Sequence, residues 1–286
     1  MIWQTTHFSI DLARPQIMGI VNVTPDSFSD GGRYFSAQGP VADVLARCEQ
    51  LLKEGADLLD IGGESSRPGA QPVSLEEELA RVLPVLKEVV RLGVPVSIDT
   101  YKPAVMQAAL DLGVDIINDI WALRQPGTAQ VVAGHPRCGV CLMHMHGKPT
   151  TMQISPMQGD VVQPVLSFLV KAADALQASG VERSRILLDV GIGFGKTVAQ
   201  NFSLLARQHE ILAAGYPLLA GWSRKSSLAA VIAQDSAPAP ALTIADRVLS
   251  SVTAALLAVE RGARVVRVHD VRETADALRV WRAALA

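Results

Sequence analysis

Eight short apolar runs recur along this chain, each leading into a loop, and five of them end on a polar residue. The first, Ile17 to Asn22 (IMGIVN), leaves into the polar loop VTPDSFSDGGR. A run without polar alternation marks a strand buried on both faces, as in a parallel sheet. The next runs are Asp57 to Ile61 (DLLDI), Pro95 to Asp99 (PVSID), Val114 to Asp119 (VDIIND) and Gly139 to His144 (GVCLMH). Arg185 to Asp189 (RILLD), Pro217 to Gly221 (PLLAG) and Ala263 to Val268 (ARVVRV) complete the set.

Segments of helical period lie between them. Val41, Val44, Leu45, Cys48, Leu51 and Leu52 step by three and four and stop at Gly55. Ser74 and Glu77 predict a capping box for a helix carrying Leu79, Val82, Leu83, Leu86 and Val90. Pro103 and Gly113 bracket a third helix; further helices are expected over Val161 to Gly180, Phe202 to Ala214, Ile244 to Glu260 and Val271 to Ala286. Eight such units in 286 residues, with no Pro/Gly/Ser-rich linker between two halves, predict an α/β fold, a single-domain (β/α)8 TIM barrel, over a doubly wound sheet. Residues 1–16, with Phe8, Ile10 and Leu12, are expected as an N-terminal decoration covering the barrel floor. Asp235 to Ala241 (DSAPAPA) reads as a tolerant surface loop.

A net charge of -2 supplies no broad basic field, so no nucleic-acid partner is expected. No basic segment precedes an apolar run at the N-terminus and no apolar stretch approaches membrane-spanning length, which predicts a cytoplasmic protein with no membrane partner. The three cysteines cannot build a disulfide framework, and Cys138 with Cys141, a CxxC leading into a strand, has only Cys48 left to complete a zinc site. Buried thiols are the reading.

Barrels of this type place their chemistry where the strands exit. The exits here carry Asn22, Asp60 with Glu64 to Arg67, Asp99, Asn118 with Asp119, His144, Asp189, Arg224 with Lys225, and Arg267 with His269. A lone Asp after a strand serves most often as a turn or cap, but capping does not require polarity at all eight exits. The charges are also sorted: carboxylates and an amide come from strands three, four and six, and Arg224, Lys225, Arg267 and His269 from strands seven and eight. That cationic group fits a phosphate or diphosphate. Asp99, Asp189 and Asn118 fit either the donor and acceptor edge of a flat heterocycle or a magnesium ion beside a diphosphate.

Three local patterns fail on inspection. GIGFGKT lacks the glycine a P-loop needs where Val190 stands, and the dinucleotide pattern breaks at Lys196. Its glycines fit a tight turn or a close backbone approach. His144 and His146 share one side of an extended segment, yet strand one holds no histidine to complete a metal-hydrolase set.

Together MGIVNVTPDSFSDGG, DIGGESSRPGA, SIDTYKP, INDIWAL, CLMHMHG, DVGIGFGK, WSRKS and RVHDV resemble the dihydropteroate synthase family, in order from Ile17 to the C-terminus. The resemblance implies a (β/α)8 barrel that joins 6-hydroxymethyl-7,8-dihydropterin diphosphate to p-aminobenzoate with Mg2+ as cofactor. It implies a pterin site of Asp99, Asn118, Asp189 and Lys225, lined by Phe194, Gly221 and Arg267. It assigns diphosphate to Asn22, Arg267 and His269, with Asn22 near the metal. Asp99, Arg267, His269 and Lys225 are the expected catalytic set. Phe28 and Asp30 of the first loop, and Ser65, Ser66, Arg67 and Pro68 of the second, would close over the site and form the p-aminobenzoate pocket with Lys225 and Ser226. Against the family pattern, Val190 replaces proline, Ser66 replaces threonine and Trp222 is unusual. The alternatives are a pterin-dependent methyltransferase of the related barrel family and a non-catalytic pterin-binding barrel. The helix Ile244 to Glu260 carries apolar residues on more than one side, so a homodimer is expected, as the resemblance also implies.

Overall fold

The computed structural model describes residues 1–24, 39–65, 69–148, 151–152, 154–233, 243 and 245–285. Strands β1 (Ile2–Gln4) and β2 (Ser9–Asp11) form an antiparallel hairpin. Then come β3 (Gln16–Asn22), α1 (Pro40–Glu54), β4 (Leu58–Gly62), α2 (Leu75–Val89), β5 (Val96–Asp99) and α3 (Pro103–Asp111). The middle of the chain gives β6 (Ile116–Asp119), α4 (Thr128–Gly134), β7 (Gly139–Met143), α5 (Val162–Ala178) and β8 (Ile186–Asp189). After it run α6 (Val198–Ala206), α7 (Gln208–Leu212), β9 (Leu218–Ala220), α8 (Ser226–Ala233), α9 (Val248–Glu260), β10 (Val265–Val268) and α10 (Val271–Leu285). The eight strands β3 to β10 pair in parallel and close in chain order, β10 returning to β3. This is the (β/α)8 barrel expected from the sequence.

Side chains alternate along each strand, so each strand feeds two cores. Leu59, Ile61, Ile98, Ile117, Val140, Leu142, Ile186, Leu188 and Val266 face the helices. Met18, Leu58, Ile116, Cys141, Leu187, Leu219 and Val265 point inward and form an apolar floor with Trp3, Ile10 and Leu12 of the hairpin segment. Apolar faces on both sides explain the unbroken runs. The hairpin is tied on by named bonds: Trp3 Nε1 donates to Arg185 O at 2.9 Å, and Asp115 accepts from His7 N at 2.9 Å and Val96 N at 3.0 Å.

Five helical details depart from expectation, the unforeseen α8 being one. The short α4 carries too few apolar steps to signal a period. The segment expected as one helix over Phe202 to Ala214 is α6 followed by α7, broken at Arg207, whose side chain pairs with Asp160 and Glu210. Ser74 accepts from Glu77 N, but the Glu77 carboxylate pairs with Arg81 instead of closing the box. The complete capping box is Thr197 with Gln200, which starts α6. The helix read from Ile244 begins as α9 at Val248, after a 3-10 turn over Ala245–Arg247. The segment 235–241 lies outside the described residues.

Candidate active site

Two residues beyond the floor along the same inward phase, the side chains change character. Leu58 is followed by Asp60 and Gly62, Ile116 by Asn118, Leu187 by Asp189, Leu219 by Gly221 and Val265 by Arg267. The strand register sets Gly62 beside Asp99 and Asp99 beside Asn118. Alternation thus carries one apolar layer into one polar layer, at the end of the barrel where the strands exit.

Arg267 organises that layer. Its Nε donates to Asp60 Oδ2 and its Nη2 to Asp99 Oδ2, both at 2.6 Å, while Asn118 Nδ2 donates to Asp60 Oδ2 at 3.2 Å. Burial pushes Asp99 up to about 7, against the pull of Arg267 and with Asp60 adding to the rise. Burial opposes the charge of Arg267, yet Asp60 and Asp99 hold its pKa above the ordinary value.

Across the barrel, burial also raises Asp189, although Gly191 N donates to its Oδ1 at 2.7 Å and Lys225 favours its charge. Lys225 Nζ lies 4.3 Å from the Phe194 ring centre, and burial lowers it to about 8 while Asp189 opposes the fall. A Cβ added to Gly221 would come 3.9 Å from Asp189 Oδ2, so this glycine leaves the carboxylate accessible from that side. Phe194 shares a cluster with Ile120, Met143, Met145 and Met152, packed by Tyr101 and Trp121, an apolar wall suited to a flat ring.

His269 takes its orientation from the loop after β9: Ser223 Oγ lies 2.9 Å from its Nδ1 and accepts from its backbone N at 3.1 Å. Asn22 ends β3, and the space a Gly62 side chain would fill lies 3.8 Å from Asn22 Oδ1 and 3.9 Å from Asp99 Oδ2. Ser65 lines one recess with Asp99, Tyr101 and Ile120, and Ser226 is the first residue of α8. The expectations for Phe28, Asp30, Ser66, Arg67 and Pro68 fall outside the described residues.

Some strand-exit polar residues are structural. Asp119 points away from the barrel interior and accepts from Trp121 N and Leu123 N at 2.7 and 2.8 Å, a turn in which Ala122 and Leu123 have positive φ. Arg224 leaves the expected anion group, because Asp270 holds it at 2.6 and 3.1 Å. His144 is buried against the edge of Phe168, and burial lowers its pKa to about 3, with Lys196 next in effect; His146 is exposed. Among the described residues no cluster of three or more His, Cys, Asp or Glu could hold a metal ion. The GIGFGK loop is held from within, since Lys196 Nζ donates to Gly191 O at 2.9 Å and Phe194 O at 3.1 Å. Gly191 has φ +67, and a Cβ there would sit 1.9 Å from His144 O, so the glycine serves a close approach between strand exits. Trp222 is buried against Phe202, and Val190 is buried beside Asp189.

The sequence marks Asp60 as a strand exit but assigns it no role, and nothing in it singles out Ser223. The signal for Asp60 was period two: it shares the inward phase of Leu58 and Gly62.

A family model described as "Pterin binding enzyme" matches residues 18–269. A dihydropteroate synthase of Neisseria meningitidis is 51% identical over 286 residues, covering 99% of this chain and 97% of that protein. The structure of Burkholderia cenocepacia dihydropteroate synthase complexed with 7,8-dihydropteroate matches with TM-score 0.86 and 49% identity, covering 99% and 96% of the two chains. That of Xanthomonas albilineans dihydropteroate synthase with 4-aminobenzoic acid matches with TM-score 0.89 and 45% identity, covering 100% and 99%.

Proposed function

The chain belongs to the pterin binding enzyme family, and from that premise we propose that it is a transferase condensing 6-hydroxymethyl-7,8-dihydropterin diphosphate with p-aminobenzoate. The products are 7,8-dihydropteroate and diphosphate, the dihydropteroate synthase reaction of folate biosynthesis. The observation that carries this reading is the meeting of Asn118, Asp189, Lys225 and Arg267 around an apolar wall, in a chain about half identical to a synthase over its full length.

Asp189 and Asn118 present acceptors to the N–H edge of the pterin, and Lys225 covers the ring beside Phe194. Arg267, His269 and Asn22 take the diphosphate. The bond from the pterin methylene to the bridging oxygen breaks, and its electron pair leaves on diphosphate. The ring stabilises the cation left behind, and the negative charge of Asp99 lowers the barrier to forming it. The amine of p-aminobenzoate then forms the new C–N bond and gives its proton to solvent. Being a weak nucleophile, it depends on positioning and water exclusion by the loops of Phe28, Asp30, Ser65, Ser66, Arg67 and Pro68, with Ser226 at its pocket. No covalent protein intermediate is required.

The donor set fits Mg2+. Asn22 Oδ1 and Asp99 Oδ2 are hard oxygens flanking the space beside Gly62, and Mg2+ is commonly held by one or two protein oxygens together with substrate phosphates. Asn22 would hold the ion, which when bound supplies charge to the leaving diphosphate.

The protein also pairs with a second copy through α9 and α10, where Leu249, Leu257 and Val280 are exposed at 79%, 39% and 72%. Among the described residues no helix is long and apolar enough to cross a membrane, and the three cysteines are free and buried, which suits a reducing cytoplasm.

A diphosphate-release assay with and without p-aminobenzoate tests the reaction. Release requiring both substrates, with dihydropteroate as product, is expected. Methyl transfer to a corrinoid protein would favour the methyltransferase alternative, and pterin binding without turnover would favour the non-catalytic one. Loss of dimer in Leu249→Glu on sedimentation tests the second copy.

A further inference from the structure

One charged side chain of the polar layer is not among the proposed substrate contacts. Asp60 is 0% exposed on β4, two residues before Gly62 at the strand's end. A buried carboxylate is costly unless paired, and here both pairings go to groups of the site. Oδ2 accepts from Arg267 Nε at 2.6 Å and Asn118 Nδ2 at 3.2 Å, while Oδ1 has no hydrogen-bond partner among the described residues.

We infer that Asp60 is a positioning residue that fixes the direction of the Arg267 fork and decides which end of the Asn118 amide faces the ligand. The inference rests on the function proposed above and assigns specificity within it. A guanidinium is planar, so bonds from Nε to Asp60 and from Nη2 to Asp99 fix its plane and leave Nη1 for a ligand. An amide has a donor end and an acceptor end. With its NH2 held against a carboxylate, Asn118 offers Oδ1 to the pocket. Asp189 is an acceptor as well, so both groups ask for N–H donors on the ring edge. Asp60 thereby selects a 2-amino ring over one bearing oxygen at that position, because an oxo group would face acceptors and leave them unpaired.

Two variants of the full-length protein separate the geometry from the charge. In Asp60→Asn the amide oxygen can keep both bonds of Oδ2. Its NH2 then falls on the side of the unpartnered Oδ1, with Ser97, whose Oγ is also unpartnered, at the neighbouring position of β5. Asp60→Leu removes both bonds. Each is titrated with the pterin diphosphate and with its 2-oxo analogue, and the KM of p-aminobenzoate is measured alongside.

Asp60→Asn is expected to lose about tenfold in pterin affinity and to keep the preference for the amino ring. Asp60→Leu is expected to lose about a hundredfold and most of the preference. The p-aminobenzoate KM should stay unchanged in both. Wild-type affinity and preference in a folded Asp60→Leu would overturn the inference, as would an equal rise in both KM values. Should Asp60→Leu not fold, wild-type pterin affinity in Asp60→Asn overturns it. The proposed function fails separately, by an unsubstituted protein that forms no dihydropteroate.

Discussion

The floor and the rim of this barrel are built from the same strands two residues apart, and they solve opposite problems. At the floor, Leu58, Ile116, Leu187 and Val265 meet Trp3 and Leu12, and the nearby polar groups are bonded: Asp115 to two backbone N–H groups, Arg185 to the carbonyls of Val132, Pro136 and Cys138. At the rim the same inward phase carries Asp60, Asn118, Asp189 and Arg267, with a carboxylate oxygen that has no partner among the described residues and displaced pKa values. One end of each strand is arranged for stability and the other for binding.

If that division is real, rim and floor substitutions move different observables. Arg267→Ala should have the largest effect, a loss of about a thousandfold in kcat/KM. It removes the shared counter-ion of Asp60 and Asp99 as well as a diphosphate contact, and steady-state rates against both substrates measure it. Trp3→Ala should destabilise by about 4 kcal/mol, a fall of roughly 10 °C in Tm, with both KM values unchanged. A raised pterin KM in that variant would break the comparison, because floor packing would then be setting rim geometry. Asp189→Asn replaces an acceptor by an amide and should weaken pterin binding about a hundredfold by calorimetric titration, with little change in Tm.

The legibility of the sequence follows the same division. Strands buried on both faces are plain in the sequence because both faces are apolar over most of their length, so all eight could be read, from IMGIVN to ARVVRV. Period two then says which exit residues share the interior, which separates Asn118 from Asp119. What stayed hidden depends on contacts distant in sequence. The pairing of Arg267 with Asp60 spans 207 positions, and the loss of Arg224 to Asp270 spans 46. The short helices α4 and α8 were hidden for a different reason, since seven or eight residues are too few to display a helical period.

The smallest expected effect is also the one in which binding and stability at the rim should differ in sign. Lys225 has its pKa lowered to about 8, chiefly by burial. As pH rises through about 8 the ammonium loses its proton, so pterin KM should rise about tenfold per unit above that point, a limb that Lys225→Met removes. Stability runs the other way. Between about 8 and the ordinary value of 10.5 the unfolded chain holds a proton that the folded one has released, so this group's contribution to stability increases with pH. Ligand-free Lys225→Met should therefore melt above the unsubstituted protein at neutral pH, and the gap should close as pH approaches 10.5. A gap that stays constant over that range would mean that the Lys225 charge costs the fold nothing, leaving the rim no less stable for carrying it.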